Sequence, residues 1–257
     1  MRLSRAFLTI LALAFEGIGH APSAAQDRNG RQPTCQLHLH TNTPSTEAQP
    51  LLTALRDLES ELEWRLDLPP GREPIVVHLF RDRRAYVDYL HQHFPQVPYR
   101  QALFIKQAPP GQVLAHLGPD CQRDLRHEFV HALLHSRLKQ IPLWLDEGLA
   151  TYFELPPENR PWQSPYFASA RIAATHGSLR PLHELESITD FAKFDFSEYR
   201  DCWAWTHFLL DCQDGPRAAF LQYLAVLAQE PGPAPLGRMA PPPLNSLAMH
   251  LLSLEYR

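Results

Sequence analysis

The pattern of apolar and polar positions divides the chain into a strand-rich first half and a helical second half. Cys35-Gln36-Leu37-His38-Leu39-His40-Thr41 alternates with a period of two and predicts a strand. His38 and His40 share one face of it, and no third ligand is spaced to join them, so they read as a half-buried strand face. From Thr46 to Leu66 the positions Leu51, Leu52, Leu55, Leu58, Leu62 and Trp64 predict an amphipathic helix that stops at Pro69-Pro70-Gly71. A strand follows over Pro74–Phe80, then a helix over Asp82–His93 with Tyr86, Val87, Tyr89 and Leu90 inward. Ala102–Ile105 and Val113–Leu117, either side of Pro109-Pro110-Gly111, predict two strands and a hairpin.

After Pro119 the pattern is almost wholly helical. Helices are predicted from Asp120 to about Arg137, from Pro142 through Phe153, and over 167–175, 198–212, 216–229 and 244–254. Strands first and helices later predict an α+β protein: a small mixed sheet with helices, then a helical lobe. Residues 26–257 are expected to form a single domain of two lobes that meet near Pro156-Pro157, a sheet lobe over 26–155 and a helical lobe over 156–257, with a cleft between them.

Composition changes this picture in four places. With 44% hydrophobic and 20% charged residues, the chain has the makings of a folded core. Its 24 basic residues are scattered among 28 acids for a net charge of -4, so no basic stripe suits a nucleic-acid backbone. Prolines number 25 against 11 glycines, and their clusters mark loops. Residues 1–25 place Arg2 and Arg5 before an apolar run from Ala6 to Phe15 and end in Ala21-Pro22-Ser23-Ala24-Ala25, the layout of a cleavable secretory signal. That run is too short to span a bilayer, so the expectation is a secreted or periplasmic protein, with no membrane segment after cleavage. In such a compartment the four cysteines, Cys35, Cys121, Cys202 and Cys212, invite disulfides. Cys202 and Cys212 are a poor pair, because ten residues of helix hold them about 15 Å apart.

Candidate chemistry is concentrated in His127-Glu128-Phe129-Val130-His131, inside a predicted helix free of proline and glycine. Histidines at i and i+4 lie about 40° apart around a helix, so both imidazoles can reach one cation. Glu128 beside the first histidine is placed to take a proton from an activated water. The chain holds 14 histidines, so the string alone is suggestive and its surroundings decide. A catalytic zinc needs a third protein ligand and one open position. Pro142-Leu143-Trp144-Leu145-Asp146-Glu147-Gly148-Leu149-Ala150-Thr151-Tyr152-Phe153-Glu154 offers Glu147, if a second helix packs behind the first. His135 lies about 12 Å along the helix from His127, too far to join the same ion, and reads as a surface or packing residue. Asp146 reads equally as a neighbour of the ligands or as a solvated acid.

Together, HEFVH and WLDEGLATYFE resemble the zinc-binding core of the gluzincins, the thermolysin- and aminopeptidase-like metallopeptidases. The resemblance covers residues 127–154 directly. It implies that His127, His131 and Glu147 bind one Zn2+, that Glu128 is the general base, and that the substrate is a peptide or protein. Two departures stand out: the loop between the motifs is short, and Thr151 occupies the place where thermolysin-like members commonly carry an acid that orients a histidine. Gluzincins often place a tyrosine on a helix after the glutamate helix. Tyr199, Trp203 and His207 form an i+4 stripe here, making Tyr199 the first and His207 the second candidate for an oxyanion donor; an aromatic core stripe is the alternative for both. The family also uses the strand before the active helix as an edge for extended peptide, which here would be Gly111–Gly118. No acidic cluster suits a free substrate N-terminus, so an endopeptidase is expected over an aminopeptidase. A catalytically silent peptide- or partner-binding relative and a zinc hydrolase of non-peptide substrates are the competing readings.

Overall fold

The computed structural model of the chain describes residues 35–106, 109–212, 216–239 and 243–255. The secretory segment expected over residues 1–25 lies outside them. The fold is α+β, and the described residues separate into two compact units, one within 35–64 and 69–137, the other within 65–68 and 138–255. The helix bearing Glu147 lies in the second of these units.

In the first unit, β1 (Leu37–Thr41), β2 (Ile75–Phe80), β3 (Ala102–Ile105) and β4 (Gly111–His116) form one mixed sheet in the order β1-β2-β4-β3. β1 and β4 each run parallel to β2, while β3 is antiparallel to β4 with Ala102 opposite Ala115 and Ile105 opposite Gln112. The hairpin thus adds β3 outside β4. This corrects the expectation that Gly111–Gly118 is an edge: β4 is internal, and the outermost strand on that side is β3.

The helices α1 (Ser45–Leu66), α2 (Arg83–His93) and α3 (Cys121–Arg137) complete the unit. In α1, Leu55, Leu58, Leu62 and Leu66 recur every three to four residues and are buried. Trp64 falls out of that phase and is 70% exposed, contrary to its expected inward position. Asp82 caps α2 by accepting from the Ala85 amide, and Tyr86 and Leu90 pack with Leu103, Ile105 and Leu114. Side chains alternate across a strand. Leu103 and Ile105 therefore face α2, while Phe104 between them lies against His135 of α3, with ring centroids 5.4 Å apart. The two helices cover opposite faces of β3.

The C-terminal end of α3 is fixed to α1 through charge. Arg137, 1% exposed, donates to Glu59 Oε1 at 2.8 Å and Glu63 Oε1 at 2.7 Å, one turn apart on α1. Glu59 Oε1 also accepts from the Cys35 amide at 2.9 Å. Burial raises the Glu59 carboxyl above its usual range, with Arg137 pulling the other way.

In the second unit, α4 (Leu143–Phe153) and α7 (Phe196–Asp211) form the most extensive pairing. Asp195 and Glu198 start α7 with a reciprocal capping box. Trp144, Trp203 and Trp205 are all at most 1% exposed, each contributing on the order of 2–3 kcal/mol by burial. Around this pair lie α5 (Phe167–Thr175), α6 (Leu182–Glu186), α8 (Arg217–Gln229), α9 (Leu236–Met239) and α10 (Leu244–Ser253). Both α5 and α10 pack on α7 and on each other. The short α6 and α9 carry no clear period and were not anticipated. Among the described residues no helix is long and apolar enough to cross a membrane.

All four cysteines are free thiols, so the expected disulfides are absent. In the first unit Cys121 packs with Ala48 and Leu79, whereas Cys35 sits at Glu59 and Glu73. In the second, Cys202 lies within α7 and Cys212 caps its end. Burial pushes the Cys35 and Cys121 thiols up to about 11, away from the reactive thiolate.

Candidate metal centre

Residues 121–137 contain no helix breaker and form α3 without interruption. Its buried residues lie on almost every side of the helix, including His127 at 1% and His131 at 0% exposure. Imidazoles at these positions are costly to bury without polar partners. Their ring centroids lie 4.9 Å apart, one turn along the helix. Glu128, the next residue, turns toward β3: its Oε2 accepts from the Phe104 main-chain N–H at 2.8 Å. A strand amide thereby fixes the orientation of the expected general base. The Glu128 charge also reaches Tyr86, whose phenol is raised by burial first and by Glu128 second.

Glu147 is set in α4 by backbone packing. Pro142 stands at the N-cap, where a missing N–H costs the helix nothing. Gly148 allows the closest approach of α7: a Cβ there would lie 2.3 Å from Thr206 Oγ1 and 2.8 Å from the Cys202 carbonyl oxygen. Thr151 donates to the Glu147 carbonyl at 2.7 Å, one turn back. The Thr151 hydroxyl is thus satisfied by the backbone of its own helix. Glu147 is 0% exposed. Its charge adds to burial in raising the Cys202 thiol well above the ordinary range.

One ligand atom from each of His127, His131 and Glu147 lies within 4.8 Å of the other two, and all three side chains are buried. Among the described residues no other group of three or more His, Cys, Asp or Glu meets that condition. Two imidazole nitrogens and one carboxylate oxygen fit the donor set of a catalytic zinc site, which leaves a fourth position open. His135 is not in the group; its ring packs on Phe104 and its carbonyl accepts from Lys106 Nζ at 2.6 Å. Asp146 is 7% exposed and therefore not a solvated acid.

The α7 stripe divides. Tyr199 is buried among Phe191, Phe194 and Tyr166, with the Phe194 ring edge-on at 5.6 Å. His207 turns both ring nitrogens to other partners, Nδ1 to His250 Nε2 at 2.9 Å and Nε2 toward Asp211 Oδ2 at 3.6 Å. Burial lowers its pKa to about 4. His207 thus belongs to a polar network with His250 and Asp211. Sequence reasoning missed that network and missed the Phe104 amide, which carries no residue-type signal.

Residues 124–232 match a family model described as a protein of unknown function, DUF1570. The matched span takes in the HEFVH string, the Glu147 helix and α7. No curated protein matches the chain.

Proposed function

We propose that the chain is a zinc-dependent peptidase, an endopeptidase in preference to an aminopeptidase. In this reading His127, His131 and Glu147 hold one Zn2+ and Glu128 is the general base. The observation that carries it is the buried trio of two nitrogens and one oxygen within 4.8 Å, a donor set suited to zinc and directly followed on α3 by a carboxylate. A zinc ion held there supplies a Lewis acid that polarises a carbonyl and acidifies water.

The chain's own residues supply the remainder. Glu128, oriented by the Phe104 amide, takes a proton from the attacking water and passes it to the departing amine nitrogen. β3, outermost in the sheet, offers main-chain groups with which an extended peptide can pair. Tyr199 is the hydroxyl assigned to the developing oxyanion. Delivery across a membrane by residues 1–25 belongs to the same reading and rests on their sequence layout.

The test is cleavage of a peptide library by purified protein, with metal content measured on the same sample. About one zinc per chain is expected, with internal cleavage that stops on chelation and returns with added zinc. A protein that binds no zinc at neutral pH overturns the metal assignment; a zinc-loaded protein that cleaves nothing overturns the peptidase.

A further inference from the structure

The second unit contains a polar network that the proposed chemistry does not use. His207 on α7 is 3% exposed, and its Nδ1 is 2.9 Å from Nε2 of His250 on α10. At that distance a single hydrogen lies between the two nitrogens, so the pair cannot be doubly protonated in place. On the other side, His207 Nε2 faces Asp211 Oδ2 at 3.6 Å. The same Asp211 oxygen accepts from Tyr152 of α4 at 2.6 Å, and its Oδ1 is paired with Arg65.

One arrangement satisfies every neighbour. His250 donates from Nε2 to His207 Nδ1, which leaves the proton of neutral His207 on Nε2, directed at the Asp211 carboxylate. The order of partners is then His250, His207, Asp211, with Tyr152 and Arg65 closing the far end. The rings support it: His207 lies 5.1 Å from His250, 5.3 Å from Trp203 and 5.9 Å from Tyr152, and Phe208 lies 5.5 Å from His250.

We infer that this histidine pair is an acid-sensitive latch that holds the C-terminal helix α10 on α7 at neutral pH and releases it on acidification. Two protons on the pair break the hydrogen bond it shares, and burial opposes a proton on either ring, with Arg65 and Arg160 adding to that effect at His207 and Asp211 working against it. Arg65 and Arg160 face His207 from outside α7, the guanidinium of Arg160 lying 4.8 Å over the Tyr152 ring. Asp211 is the opposing anion, already engaged by Arg65 and Tyr152. From α5, the other helix packed on α10, Arg171 donates to the Leu254 carbonyl at 2.7 Å and adds a further positive charge beside the C-terminal end of α10.

Burial is the first cause holding His207 at about 4 and His250 below its ordinary value. A histidine whose folded pKa is depressed contributes stability that is complete above its unfolded value, near 6.5, and is lost as pH falls from there toward the folded value. The working window is therefore about pH 6.5 down to 4. Release frees Leu247 and Leu251, the two fully buried apolar anchors of α10, and uncovers the face of α7 that carries His207 and Phe208.

Hydrogen exchange of the full-length protein at pH 7.5 and 5.0, corrected for intrinsic rates, tests the latch. Protection of amides 244–253 is expected to fall at least about tenfold relative to those of α8, the change set by roughly one unit of pKa displacement. In the double variant His207→Gln with His250→Gln, whose amides can keep the hydrogen bond and cannot titrate, the fall should disappear. Equal loss in α8 and α10, or a full tenfold fall in the double variant, overturns the latch. A second measurement needs no variant: carbon-13 titration of the wild-type imidazoles should show His207 neutral at pH 5.5 and His250 titrating below its ordinary value, and titration of the pair near 6.5 overturns the latch as well.

Discussion

The carboxylate of Glu128 on α3 is hydrogen-bonded to the main-chain amide of Phe104 on β3 at 2.8 Å. The residue expected to move protons is thus held by the outermost strand of the sheet, which the proposed function assigns to substrate. Glu128→Gln retains an acceptor for that amide but loses the ability to take up a proton. The variant should melt within about 1 °C of wild type and bind zinc equally, while kcat/KM for a cleaved peptide falls roughly 100- to 10,000-fold. Undiminished turnover removes Glu128 as the base.

Ligand loss should separate from loss of the base. His131→Ala and Glu147→Gln each remove one donor from the trio, and zinc measured after dialysis should drop well below one per chain. Wild-type protein should also lose thermal stability on chelation, because a ligand bound only to the folded state stabilises it by about 2.7 kcal/mol at a hundredfold excess over Kd. An unchanged zinc content in Glu147→Gln excludes Glu147 as a ligand.

Gly148 governs how close α4 and α7 approach. Thr206 Oγ1 can swing away from an added methyl, but the Cys202 carbonyl 2.8 Å from it is backbone. Gly148→Ala should therefore cost about 1–3 kcal/mol in urea unfolding. It should also weaken zinc binding, since Glu147 is the adjacent residue. A variant as stable as wild type shows that the helices part without strain.

Arg137 is the other packing-dependent support. With Glu59 at 2% and Arg137 at 1% exposure, Arg137→Met leaves Glu59 buried beside no cation and should destabilise the fold by about 3–5 kcal/mol. The double variant with Glu59→Gln should recover part of that loss. Additive losses in a double-mutant cycle show that the two do not interact.

Where one period dominates, the chain announced its elements well. The leucines of α1, the alternation in β2 and the unbroken run of α3 place those elements within one or two residues of their observed ends. The HEFVH string and Glu147 were legible because their chemistry depends on residue type and spacing. What escaped has a different physical origin. The placement of β3 outside β4 is decided by which side of a strand remains open, which no local pattern encodes. The hold of Phe104 on Glu128 uses an amide that every residue but proline possesses. His207 was noticed, but its partner His250 was not, because a stripe at i+4 spacing does not say which helix will cover it. The cysteines misled for a related reason: an even count suggests pairing, yet all four thiols are free, and Cys121 packs instead with Ala48 and Leu79.

The sheet order has a consequence for how the molecule assembles. β1 joins β2 through residues as distant as Leu37 and Ile75, and β2 joins β4 through Ile75 and Gly111, whereas Ile105 of β3 meets Gln112 of β4 only a short loop away. The β3–β4 hairpin and the helix that follows it are the local part of the first unit, and chain-closure entropy favours their forming before the two parallel pairings. The His127–His131 pair therefore rides on the segment that needs the least of the chain to organise, and the parallel strands, which close the longest loops, complete the sheet around it.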